Sequence, residues 1–220
     1  MDRRVVALAT MKGGSGKSTL AVCLAARWWQ QKKRVALIDA DPQRSVMRWR
    51  DTGDALDGLV FETADDANIG AVIERLLDGG VDRVVVDTPG FRAAVTDVAI
   101  TRAGLCLIPV RPSPVDFEIA ADGVELIAGL KASGSDGPRD YRFVLTQTIQ
   151  ASVIARHMRA EMAAAGYPVM KAEIGHRVAY PETALMGATP SLVQPRGTAA
   201  REIAALAREV DTLLDQDAPR

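Results

Sequence analysis

The stretch Val5-Val6-Ala7-Leu8-Ala9-Thr10-Met11-Lys12-Gly13-Gly14-Ser15-Gly16-Lys17-Ser18-Thr19 decides the fold of this chain. Val5–Thr10 reads as a strand, and its Val5–Ala9 is apolar without alternation, as a strand covered on both faces should be. Glycines at 13, 14 and 16 then break any regular element, and a helical pattern follows over about Lys17–Gln31. A strand that passes through a glycine-rich turn ending in Gly-Lys-Ser and opens a helix is the setting of a phosphate-binding loop, G-x-x-x-x-G-K-[ST]. Gly16-Lys17-Ser18 supplies the second half of that pattern. The glycine expected five positions earlier is Met11, and Lys12 precedes the Gly-Gly pair instead.

The chemistry of such a loop survives the change. Gly13, Gly14 and Gly16 allow the backbone to curl so that its N–H groups face phosphate oxygens. The helix that follows adds its positive end. Lys17 is placed to contact β- and γ-phosphates, and the Ser18 hydroxyl to ligate Mg²⁺.

Working outward, short β-branched runs alternate with helical patterns. Strands are expected at Arg34–Asp39, Arg83–Asp87, Leu105–Val110 and Tyr141–Thr146, with a short one at Val169–Glu173. Helices are expected near Gln43–Arg50, Asn68–Leu77, Ala93–Arg102, Val115–Lys131, Ser152–Ala165 and Thr198–Leu214, and Ala132–Asp140 reads as a surface loop. Strand–helix alternation of this kind predicts an α/β fold, a doubly wound, mostly parallel sheet flanked by helices. Residues 1–220 are read as a single domain.

Bulk composition excludes little: the net charge is −1, so overall charge neither attracts nor repels nucleic acid. Its distribution is uneven, with 11 Lys/Arg against 3 Asp/Glu in residues 1–50 and 3 against 11 in residues 51–100. Cys23 and Cys106 lie in apolar runs and read as free buried thiols of a reducing compartment. With no signal-peptide pattern at the start and no apolar run of about 18 residues, a cytoplasmic location is expected.

The string Lys12-Gly13-Gly14-Ser15-Gly16-Lys17-Ser18 resembles the deviant Walker A motif of the ParA/MinD ATPases, KGGxxGK[ST]. Three later segments strengthen the resemblance. Asp39-Ala40-Asp41-Pro42-Gln43 matches the family's DxDPQ motif after the second strand. Val84-Val85-Val86-Asp87 followed by Thr88-Pro89-Gly90 fits its Walker B strand, although Asp-x-Pro-Pro or Asp-x-Gly is commoner there. Ile108-Pro109-Val110-Arg111-Pro112-Ser113-Pro114-Val115-Asp116 resembles its I-P-V-x-P-S-P-x-D segment, which borders the nucleotide and the dimer face. The four matches cover residues 5–116 in order.

The resemblance implies a slow ATPase that uses ATP and Mg²⁺. Nucleotide contacts are expected from Gly13, Gly14, Ser15, Gly16, Lys17, Ser18, Thr19 and Pro112, and magnesium contacts from Ser18, Asp39 and Asp87, with Asp39 acting through a metal-bound water. Lys17 and Asp41 take catalytic roles, Asp41 by orienting the attacking water. Lys12 becomes the signature lysine that reaches across an ATP-dependent homodimer to the other subunit's nucleotide, in the manner of an arginine finger. Adenine recognition is expected near Thr146-Gln147 or Pro190–Pro195.

What such an ATPase serves is less constrained. A ParA-type partition or positioning ATPase binds DNA without sequence preference, associates with the nucleoid when ATP-bound, and is stimulated by a ParB-like or other adaptor. Residues 142–208 carry eight Lys/Arg against four acids, and Arg196 and Arg201 are the DNA-contact candidates. A MinD-like membrane ATPase requires a basic amphipathic tail, whereas Glu209–Asp217 is acidic and lacks aromatics, so no membrane partner is expected. A P-loop synthetase or metal-cluster carrier is the third class; the carrier's C-x-x-C pair is missing, since Cys23 and Cys106 lie far apart.

Overall fold

The computed structural model describes residues 1–132, 138 and 140–215. Seven strands form one sheet in the order β3-β2-β4-β1-β5-β6-β7, and all the strand pairs are parallel. They are β1 (Asp2–Leu8), β2 (Val35–Asp39), β3 (Val60–Thr63), β4 (Arg83–Asp87), β5 (Ala103–Val110), β6 (Asp140–Thr148) and β7 (Ile174–Gly175). The helices between them are α1 (Lys17–Gln30), α2 (Ser45–Arg50), α3 (Ile69–Asp78), α4 (Ala94–Arg102), α5 (Pro114–Ala132) and α6 (Val153–Ala164). The chain then closes with α7 (Ala179–Ala184), α8 (Pro190–Val193) and α9 (Thr198–Asp215).

Alternating residues of each strand feed opposite faces, which is why the central strands read as unbroken apolar runs. Val6 and Leu8 of β1 pack with α1 and α9, whereas Val5 and Ala7 pack with α3 and α4. A third cluster joins Cys106 and Ile108 of β5 to Phe143 of β6 and to Met162. Helix α1 is buried almost all round, with Leu20 to Ala26 and Trp28 inside, because α9 covers the side away from the sheet. The apolar residues of α9, among them Ile203, Leu206 and Val210, are consumed in that packing. Both cysteines are free and buried, and burial pushes both thiols up.

The chain turns from one half of the sheet to the other around β1, so the carboxyl ends of β1, β2 and β4 converge on one crevice, the usual ligand position in such sheets. Register places Leu8 and Asp39 on either side of Asp87.

Three expectations needed correction. Residues 169–173 are not a strand: Val169 makes an isolated bridge to Phe143, and the N–H groups of Lys171 and Ala172 turn to the Glu209 carboxylate on α9 (2.7 and 2.9 Å). Strand β7 starts only at Ile174. The edge strand β3 was missed because it is short and exposed on one side, and α7 and α8 because each spans barely a turn. The loop expected over Ala132–Asp140 lies almost wholly outside the described residues.

Candidate functional site: a phosphate loop with a bare carboxylate

After β1 the chain enters the phosphate loop. Gly14 (φ 76°) and Gly16 (φ 92°) occupy left-handed conformations that side chains resist, and Gly16 caps α1. Gly13, Gly14, Gly16, Lys17, Ser18 and Thr19 line a cavity of about 560 Å³, closed on its other sides by Asp41, Gln43 and Ser45 and by Gly90 and Phe91. Six of the seven loop residues expected at the nucleotide therefore surround one space. Ser15 is buried behind it, its carbonyl accepting from the Thr146 hydroxyl at 2.8 Å.

Lys17 is only 6% exposed, and its Nζ sits 3.4 Å from the Lys12 carbonyl. Burial lowers its pKa, against the pull of Asp87 and Asp41. Asp87 is fully buried and neither carboxylate oxygen has a hydrogen-bond partner. Burial pushes its carboxyl up to about 7, offset only in part by the nearby Ser18 hydroxyl and Lys17 charge. A buried carboxylate beside a serine hydroxyl offers oxygen ligands for a hard cation, and the neighbouring lysine offers a charge for the phosphates. Among the described residues no cluster of three or more His, Cys, Asp or Glu forms a metal cage. Mg²⁺ commonly takes one or two protein oxygens and completes its shell with water and phosphate.

Asp39 has a different situation. Its Oδ1 accepts from the Asp41 N–H (3.2 Å) and its Oδ2 from the Met47 N–H (3.0 Å), which ties the start of α2 to the end of β2. Burial raises its pKa and those N–H groups oppose the rise. It lines a neighbouring cleft with Asp65, Asp66 and Phe91 rather than the phosphate cavity. Asp41 borders both spaces. The helix expected from Gln43 begins at Ser45 because Asp41–Arg44 forms a turn, closed by Arg44 N–H to Asp41 C=O at 2.8 Å with Arg44 at φ 51°.

Gly90 is explained by close approach, not by freedom. A Cβ there would lie 3.0 Å from the Gly13 nitrogen and 3.2 Å from the Lys12 carbonyl carbon, so the segment after β4 rests directly on the phosphate loop.

Lys12 points elsewhere. Its ammonium is bonded to Asp116 at the start of α5, and the same carboxylate accepts two bonds from Arg111 (2.7 and 3.2 Å). Burial alone pushes Asp116 up, but the bonds from Arg111 and Lys12 outweigh it and hold the carboxyl below its usual value. Pro112 lies in the wall of a separate cavity with Arg111, Asp116 and His176, apart from the phosphate loop.

A further cavity of about 290 Å³ adjoins the phosphate space through Gly16, Thr19 and Gln147, and is walled by Ile174, His176, Val178 and Tyr180. It contains the expected Thr146 and Gln147 and none of Pro190–Pro195. The 174–180 wall had no sequence signal, being a two-residue strand, a three-residue connection and the start of a short helix. Arg196 is exposed in the turn before α9 and Arg201 is exposed in its first turn, where it donates to the Thr198 hydroxyl (3.2 Å). Of the other cations in 142–208, Arg142, Arg159 and Arg177 are bound in ion pairs with Asp140, Glu173 and Glu202.

Comparison with known proteins agrees with this geometry. The chain is 36% identical over 217 residues to the "Maintenance of carboxysome distribution protein A" of Gloeobacter kilaueensis, spanning 97% of this chain and 95% of that one. It is 27% identical to the chromosome-partitioning ATPase Soj of Thermus thermophilus over 94% and 95% of the two chains. Its fold matches the ATP complex of McdA from Cyanothece with a TM-score of 0.75 at 18% identity, over 99% and 98% of the chains. The model of the CobQ/CobB/MinD/ParA nucleotide-binding domain matches residues 6–190, and the chain belongs to that family.

Proposed function

We propose that the protein is a ParA-type positioning ATPase. It binds Mg-ATP, pairs with a second copy around two nucleotides, holds DNA without sequence preference in that state, and lets go when a partner protein stimulates hydrolysis. Its expected place is the cytoplasm, on the nucleoid while ATP is bound. The observation that carries this reading is the division between the two lysines. Lys17 and Ser18 line the cavity with the buried Asp87 close to both, whereas the Lys12 ammonium rests on Asp116 outside it. Breaking that pair costs little because Arg111 still donates twice to the buried Asp116 carboxylate. Lys12 is therefore a spare positive charge beside the phosphate loop, available to a second subunit's nucleotide.

Within the site, Gly13, Gly14, Ser15 and Gly16 wrap the phosphates, Lys17 neutralises them, and Ser18 with Asp87 holds the magnesium, which supplies charge neutralisation between phosphates. Asp41 orients the attacking water, and Asp39 fixes Asp41 by accepting its N–H. The cavity walled by His176 and Val178 takes the adenine. A P-loop switch without its in-trans charge turns over at roughly 10⁻⁴ s⁻¹, and that charge adds roughly 10³–10⁵. Basal turnover should accordingly be slow.

The full-length likeness to a carboxysome-distribution protein favours a protein assembly as cargo over a plasmid. Among the described residues no helix is long and apolar enough to cross a membrane, and α9 spends its apolar face on α1. The test is DNA retention with Asp41→Ala, which should keep ATP and trap the pair of subunits. Salt-sensitive retention that requires ATP, and that falls with Arg196 and Arg201 changed to Ala, supports the reading. No retention at low salt with ATP sinks it.

A further inference from the structure

Successive side chains of a strand point to opposite faces of a sheet. At the end of β6 two successive side chains do not. Thr146 Oγ1 donates to the Ser15 carbonyl at 2.8 Å, and Gln147 Nε2 donates to the Gly14 carbonyl at 2.9 Å, so both reach the phosphate loop. The cause is a bulge. Thr146 pairs with Ile174 and Thr148 with Gly175, which leaves Gln147 as an extra residue on β6, and its backbone sits at φ 53°. Left-handed backbone is uncommon outside glycine, and bulges near active sites characteristically re-aim a side chain. Here the re-aimed group is an amide, and it stands where the phosphate cavity and the adjoining cavity meet.

We propose that Gln147 is a positioning residue for the phosphate loop: the bulge exists to turn its amide onto the Gly14 carbonyl, which keeps the loop's N–H groups facing the phosphates. Gly14 is the weak point of that loop. It sits at φ 76°, and a Cβ on it would meet nothing within 4 Å, so that side of the residue is open. A carbonyl that swung into the cavity would oppose the phosphate charge, whereas N–H groups attract it. Thr146 fixes the next carbonyl in the same way. Together they bring two adjacent carbonyls of the loop under side-chain control from β6, a strand that carries none of the four matched motifs.

The proposal rests on the reading of this loop as the ATP phosphate site, and the experiment separates the two. Wild type, Q147G and Q147E are compared by equilibrium binding of ATP and ADP with Mg²⁺, and by hydrogen exchange of the nucleotide-free proteins. Q147G keeps the left-handed backbone without strain and removes the amide together with its two methylenes. It should bind both nucleotides about five- to tenfold more weakly, the loss of one hydrogen bond, with faster exchange at residues 13–16 and an undiminished melting temperature. Q147E keeps the shape and loses the donor. It should lose about a hundredfold at pH 8, and the deficit relative to wild type should narrow at pH 4.5, close to the ordinary carboxyl pKa of about 4.3, where the protonated form donates again. Affinity and loop exchange unchanged in Q147G, or a Q147E deficit equal at both pH values, overturns the role of Gln147. Failure of wild type to bind Mg-ATP would instead overturn the assignment of the loop.

Discussion

The ends of β2 and β4 lie side by side, with Asp39 opposite Asp87 in register, and the two carboxylates have opposite fates. Both are buried, and burial raises both. Asp39 is satisfied by protein: the N–H groups of Asp41 and Met47 occupy its two oxygens. Asp87 is left bare. A strand ending in aspartate reads the same in both places, so the role is decided by the backbone beyond it. After Asp39 the chain folds back into α2 and offers N–H groups. After Asp87 it runs on through Thr88, whose hydroxyl bonds the Leu8 carbonyl at 2.8 Å, and Pro89, which has no N–H to give. A carboxylate kept dry without donors costs stability and is sustained where a ligand will satisfy it.

The largest expected effect therefore belongs to Asp87. Its folded pKa, about 7, lies above its ordinary 3.8, so the folded state prefers it protonated. Stability from that preference is complete below pH 3.8 and is lost as pH rises through 7. Between pH 5 and 8 the nucleotide-free protein should lose at most about 2 to 3 kcal/mol from this group. Asp87→Asn should flatten the slope in denaturant titrations and cut magnesium-dependent ATP affinity roughly a hundredfold, the upper end of what loss of metal-site interactions costs. An unchanged slope and unchanged magnesium dependence would remove the contrast with Asp39.

Asp39→Ala sharpens the same contrast from the other side. It strands two N–H groups at the end of β2 and should cost about 1 to 3 kcal/mol of stability, while magnesium affinity falls far less than in the Asp87 variant. If both variants lose magnesium equally, Asp39 belongs to the metal's surroundings and the two strand ends act alike.

The next step down concerns the segment after β4. Gly90→Ala places a methyl 3.0 Å from backbone that has no side chain to move aside. Overpacking of this kind costs about 1 kcal/mol at the low end, and the loss should appear as weaker ATP binding with little change in melting temperature. Full ATP affinity in this variant would mean that the segment does not press on the phosphate loop.

The central architecture was readable because burial on both faces writes itself as unbroken apolar runs, as in Val5–Leu8 and Val84–Val86, and because loop chemistry needs particular residues in fixed order. The features that escaped notice are made by distant partners. Glu209 draws Lys171 and Ala172 away from β6, Gly13 crowds Gly90, and Asp116 holds Lys12; none of these pairings is local in sequence. The same holds for Asp39, whose acceptor role depends on a turn that brings Met47 back eight residues later.

Lys12 provides the smallest expected effect on the free protein and the strongest functional contrast with it. Its ion pair with Asp116 joins a lysine side chain about one-third exposed (32%) to a buried carboxylate, so the cost of losing Lys12 depends on what else holds Asp116. Removing Lys12 does not orphan the buried carboxylate, because Arg111 still donates twice to it. Lys12→Ala should thus melt within a degree or two of wild type and bind ATP as a monomer, yet fail to form the ATP-dependent pair seen by light scattering. Lys17→Ala, whose ammonium is buried at the phosphate cavity, should instead lose ATP outright. If Lys12→Ala also loses monomer ATP affinity, Lys12 acts in its own site and the division of labour between the two lysines is wrong; if it still pairs with ATP, the charge that crosses between subunits is another residue's.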